Sequence, residues 1–126
     1  MHELLTEKHI EAYARDGAVF VKGLFAEHVD DIKKGIALNM SNPSEYAAEN
    51  LKPGEAGRFF DDYCNWNRIQ TFYEVIQQPF VAEIAARLMK SQRVQLFHEH
   101  VLVKEPGTSK PTPWHSDAPY YFTSLI

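Results

Sequence analysis

The segment from Arg93 to Glu105 puts the tightest limit on the fold. Val94, Leu96, His98, His100, Leu102 and Lys104 share one side of an extended chain, and Phe97, Val101 and Val103 share the other. Apolar residues on both sides leave neither side suited to water. The pattern therefore predicts a strand inside a covered sheet rather than at its rim. Gly107 to Pro113 reads as turn, Trp114 to Asp117 as a brief strand, and Tyr120 to Ile126 as the start of another. Upstream, Ala18-Val19-Phe20-Val21 and Arg58 to Tyr63 have strand composition, the first stopped by Gly23.

Helical spacing accounts for the other apolar residues. Thr6 is a plausible N-cap for a short helix with Ile10, Tyr13 and Ala14 as its stripe and Gly17 as its stop. Val29, Ile32, Ile36 and Met40 predict a second helix from Ala26 to Asn39. Ile69, Phe72, Tyr73 and Ile76 line a third that ends before Pro79, and Phe80, Ile84 and Leu88 share a face of the fourth. Between them, Ser41 to Gly57 collects Asn, Pro, Ser, Gly and charge. It reads as a long loop, either a cover over a site or a surface insertion.

Composition narrows the class. A chain of 126 residues with 44% hydrophobic content reads as a single domain over residues 1–126. A formal charge of -4 with scattered Lys and Arg argues against nucleic acid and anionic membranes, which need clustered positive charge. The single cysteine, Cys64, cannot form an internal disulfide, and no apolar leader or long apolar span precedes it; a cytoplasmic setting is expected. No catalytic-cysteine signature surrounds Cys64, which reads as a small buried or half-buried residue.

The chemistry concentrates at Pro113-Trp114-His115-Ser116-Asp117. Residues two apart on a strand project to the same face, where a metal ion can bridge His115 and Asp117. An imidazole nitrogen with a carboxylate oxygen is two thirds of the facial triad of non-haem Fe(II), which leaves positions open for substrate and O2. The third ligand is absent, since no histidine follows His115. A competing pattern is His98-Glu99-His100 with Glu105, the His-x-His-x4-Glu core of a cupin metal site. Its flanking glycines are missing, with Gln92 and Thr112 in their places. A plainer reading has His98 and His100 lining a polar pocket without touching metal.

The run from Phe97 to Tyr121 resembles the bacterial branch of the phytanoyl-CoA dioxygenase family: an apolar strand ending in Lys104-Glu105-Pro106-Gly107, a short loop, then Trp114-His115-Ser116-Asp117 with Pro119-Tyr120 after it. Phe59-Phe60-Asp61-Asp62, Trp66 and the helical segment reaching Ala85-Ala86-Arg87-Leu88 also look like that family, so the resemblance covers most of the chain. It implies an α+β fold, with N-terminal helices packed on the first strands of a double-stranded β-helix of the jelly-roll or cupin-like kind, here truncated. It also implies a dioxygenase that hydroxylates an unactivated C–H of a small organic substrate. Fe(II) would be the metal, and 2-oxoglutarate and O2 the cosubstrates. A distal His and a 2-oxoglutarate-binding Arg would lie beyond Ile126. The alternative is a catalytically inactive binding module of the same fold. Ala118-Pro119-Tyr120 stands where the related ectoine hydroxylases have Phe-Glu-Thr, which argues against ectoine as substrate.

Four further residues are site candidates. Lys104 shares a face with His98 and His100 and suits a carboxylate of cosubstrate or substrate. Tyr120 is a candidate cavity wall, as are His98 and His100. Trp114 is expected to pack under the metal site, and Phe59, Phe60 and Trp66 to be core. The apolar ending Tyr120 to Ile126 reads as an interrupted strand. A chain stopping there is expected to be inactive and to self-associate through an unfinished sheet.

Overall fold

The structure is a computed structural model, and it describes residues 4–117 and residue 119. Helix α1 (Glu7–Asp16) is followed by a 3-10 turn (Ala26–His28) that runs into α2 (Val29–Ser41). Strands β1 (Ala48–Glu49) and β2 (Phe59–Tyr63) come next, then α3 (Gln70–Ile76), α4 (Pro79–Met89) and β3 (His100–Lys104). The strands form one antiparallel sheet in the order β1-β2-β3. The fold is thus mixed, helices with a small three-stranded sheet; a double-stranded β-helix does not form among the described residues.

Register divides β2 between two surroundings. Phe60 lies opposite Val103 and Asp62 opposite Val101, and this side is covered by helices. Phe60, Ile69, Phe72 and Val101 form the buried core, with Ile36 and Met40 of α2 and the half-buried Trp66 packed on it. Phe59, Asp61 and Tyr63 point the other way, opposite Lys104, Leu102 and His100. Phe59 is buried as expected, because the Lys104 ammonium covers its ring at 4.4 Å. Full burial of an aromatic such as Phe60 contributes about 1.5–3 kcal/mol.

The helices seat closely. Gly35 of α2 meets α3 where a Cβ would lie 2.5 Å from the Phe72 ring and the Thr71 hydroxyl, so no larger residue fits that crossing. Gly17 ends α1 at φ 74°, its N–H bonded to Tyr13 O, as its position in the sequence predicts. Pro79 opens α4 at its first turn, where a missing N–H costs nothing.

Three expected strands differ. Residues 18–21 form no strand, and Phe20 is 81% exposed; four apolar residues without a neighbouring strand leave their backbone to water. The strand expected from Arg93 to Glu105 is laddered only over His100–Lys104 and, among the described residues, stands at an edge of the sheet. Alternation determines which side chains share a face, and it cannot supply the neighbour that makes a strand central. Residues 114–117 are irregular, and residues 120–126 lie outside the described residues. The loop after α2, in contrast, contains the two-residue β1, anchored further by Asn50 N–H to Phe59 O at 2.7 Å.

Candidate metal centre

The segment that carries His115 is fastened to the sheet before it leaves. Glu105 N–H donates to Arg58 O at 2.9 Å, and Thr108 Oγ1 donates to the same carbonyl at 2.9 Å. Gly57 permits this approach: at φ 83°, any Cβ there would collide with Thr108. Lys104 Nζ donates to Lys110 O at 3.1 Å, and Lys110 Nζ donates to Asn50 O at 2.5 Å. Lys104 projects from the sheet face opposite the helices, so the chain at Lys110 runs over that face on its way to His115. From there the backbone is irregular. Pro111 and Pro113 withhold ladder donors on the approach, and the strand expected over Trp114–Asp117 does not form. Trp114 is fully exposed (104%), not packed beneath the site as expected.

His115 and Asp117 do converge, through irregular backbone rather than strand alternation. Asp117 Oδ1 lies 3.2 Å from His115 Nε2, and His115 Nδ1 lies 2.7 Å from Pro113 O. A carbonyl only accepts, so Nδ1 carries the proton, and in the neutral ring the Nε2 lone pair faces a carboxylate oxygen. Two electron-rich atoms at that distance are favourable only with a cation between them, a proton or a metal. Fixing one ring nitrogen on a main-chain carbonyl while the other meets a metal is how ligating histidines are oriented. The donor set therefore fits Fe(II). Among the described residues no group of three His, Cys, Asp or Glu converges on one point.

His98 and His100 are placed as aromatic rather than ligating groups. Both contact the Tyr63 ring, His98 tilted at 5.7 Å between centroids and His100 edge-on at 5.6 Å. Glu99, between them, is used structurally: its carboxylate accepts the N–H groups of Asn65 and Trp66, the latter at 3.1 Å, and its carbonyl accepts Cys64 N–H at 3.2 Å. The cupin-like triad is thus not assembled among the described residues. Tyr120 lies outside them. A cavity of about 300 Å³ runs along the edge of β3, lined by Ile32, Ile36, Phe72, Val75 and Ile76 with Glu99 to Leu102; of the candidates it touches only His100.

Cys64 is exposed, correcting the expectation of burial, and its backbone is left-handed at φ 65°. Partial desolvation, then the Glu99 and Asp62 carboxylates, push its thiol above the ordinary value, which disfavours the nucleophilic thiolate.

The sequence reading passed over the polar centre of the molecule. Asp62 is fully buried beside Asn39 and Asn65. Its carboxylate accepts Ser44 N–H at 2.8 Å, Ser44 Oγ at 2.5 Å, Asn39 Nδ2 at 2.8 Å and Tyr63 N–H at 2.8 Å, with Arg68 at 3.8 Å. Burial pushes its pKa up, but hydrogen bonds from Ser44, Asn39 and Asn65 prevail and hold it at about 2. This anchors the loop after α2 to β2. The signal was present: Asp62 shares its strand face with Phe60, a carboxylate on an apolar face.

The family model described as phytanoyl-CoA dioxygenase matches residues 13–125. The chain belongs to that family. Its members generally use Fe(II) and 2-oxoglutarate and have a cupin-like fold. No curated protein and no solved structure matches the chain. Among the described residues no helix is long and apolar enough to cross a membrane.

Proposed function

We propose that this chain supplies the His–Asp part of an Fe(II)/2-oxoglutarate dioxygenase site that hydroxylates an unactivated C–H of a small organic substrate. The observation that carries the reading is the approach of His115 Nε2 to Asp117 Oδ1 with Nδ1 tied to Pro113 O. Bound iron with 2-oxoglutarate and O2 supplies the oxidising chemistry. The protein's part is to hold the metal and to place the substrate. His115 and Asp117 ligate, and the straps from Lys104, Thr108 and Lys110 hold their loop against the sheet. Lys104 is the cosubstrate contact we favour, since its ammonium has three donors and Lys110 O takes one.

Anaerobic Fe(II) binding tests the ligands directly. In the active oxygenase, His115→Ala and Asp117→Ala should each weaken binding at least about tenfold, in the range seen when metal-site groups are lost, and succinate release from 2-oxoglutarate should fall with it. His98→Ala should keep its iron. Iron lost in His98→Ala and kept in His115→Ala would move the metal to the His98/His100 pair.

A further inference from the structure

The sheet face opposite the helices carries a cluster that iron chemistry does not use. Tyr63 is its centre. Tyr46, from the loop after α2, stacks on it at 5.5 Å and 15°, His100 meets it edge-on and His98 leans against it. The two tyrosines remain open to solvent, Tyr46 by 49% and Tyr63 by 36%. One step along β2, Asp61 faces the same side. Its Oδ2 is held by Asn50 Nδ2 at 2.6 Å, while Oδ1 stands 4.0 Å from His100 Nε2, too far for a direct hydrogen bond.

We propose that this face binds a positively charged nitrogen group, an amine or quaternary ammonium, on a small molecule. Four π systems beside a carboxylate are what such a cation needs, since ring faces attract it and Asp61 supplies the counter-charge. The cations on this side lie away from the Tyr63 end: Lys104, with donors left for a cosubstrate, sits over Phe59 and donates to Lys110 O, Lys110 donates to Asn50 O, and Arg58 pairs with Glu49 and covers the Phe60 ring. An anion beside Tyr63 would meet the Asp61 carboxylate, whose partner across the ladder is the apolar Leu102. Lys110, five residues before His115, lies over the Lys104 end of this face, so under the dioxygenase reading, on which this part rests, the bound molecule is the substrate and the cluster selects it.

The test uses choline, its neutral isostere 3,3-dimethylbutan-1-ol and the anion 3-methylbutanoate. Each is titrated into the metal-free chain with chelator, in mildly alkaline buffer above the ordinary imidazole range. Ring-proton shifts of Tyr63 and His100 report binding. Choline should bind about tenfold tighter than the neutral isostere. Asp61→Asn and Tyr46→Leu, both at sites outside the core and checked for folding by circular dichroism, should remove most of that preference. Equal binding of choline and the alcohol would reduce the face to an apolar patch and overturn the proposal, as would tighter binding of the anion. No iron is present, so failure here leaves the ligand test untouched, and failure there leaves this one standing.

Discussion

Asp61 and Asp62 are neighbours in β2 with opposite fates. Asp62 turns inward, reaches zero exposure and is surrounded by donors from three separate segments. Asp61 turns outward, is held by one amide from Asn50 and has an oxygen to spare toward His100. A strand places successive side chains on opposite faces, so one residue of register separates a structural carboxylate from one available to a ligand. Buried and saturated, a carboxylate fixes the fold; half-exposed and partly satisfied, it retains binding capacity. The same division holds for the rings, with Phe60 sealed under α2 and α3 and Tyr63 open.

The inward side should fail first and hardest. Phe60→Ala is expected to cost about 3–5 kcal/mol in urea unfolding, since it opens a cavity in the centre of the core. A loss below about 1 kcal/mol would mean the two faces are not energetically distinct.

Asp62→Asn should cost about 2–3 kcal/mol, because an amide turns one acceptor into a donor facing Ser44 and Asn39. It also has a pH signature. The folded pKa lies below the ordinary value, 3.8 falling to about 2, so its contribution is complete above 3.8 and is lost as pH drops through about 2. The shift of nearly two units corresponds to about 2 kcal/mol. Stability followed across that window should decline in the parent and lose that component in Asp62→Asn; parallel curves would remove Asp62 as the acid-sensitive group.

Lys104→Met sharpens the outward side. It should raise the apparent 2-oxoglutarate constant of the active oxygenase about ten- to a hundredfold, the loss of a charge-assisted bond of roughly 1.5–3 kcal/mol. Its effect on stability should stay near 0.5–1 kcal/mol, from the contact over Phe59. An unchanged constant would restrict Lys104 to that ring and the Lys110 strap. Asp61→Asn comes last, with stability expected within about 0.5 kcal/mol of the parent; a larger loss would make Asp61 structural after all.

Local chemistry explains which parts were legible. The four helices follow from apolar spacing with Gly17 and Pro79 as punctuation, because those signals act within a turn or two of chain. Phe72 declared itself as core by the same spacing, and Phe60 by the area an aromatic ring buries. The strands were harder, since Ala18–Val21 has strand composition and no partner, and pairing is a property of distant segments. At the site, the sequence paired His115 with Asp117 and the two do meet, but on irregular backbone, with the His115 ring held at Pro113 O. Composition gave no hint that His98 and His100 would gather around Tyr63, because that meeting depends on the β2–β3 register and on Tyr46 arriving from another loop. Asp62 was readable from face alone, once Phe60 was assigned inward.

The straps beneath the His115 loop also bear on how this protein can diverge. Lys104, Thr108 and Lys110 all donate to main-chain oxygens, those of Lys110, Arg58 and Asn50. Every residue type presents such an oxygen, so drift at an accepting position leaves the fastening intact, provided the donors stay. Length is another matter. One residue inserted or removed between 105 and 108 moves the Thr108 hydroxyl, the Lys110 ammonium and the Lys110 carbonyl out of place together, so this segment should tolerate substitution at the accepting positions in lineages while resisting insertion and deletion.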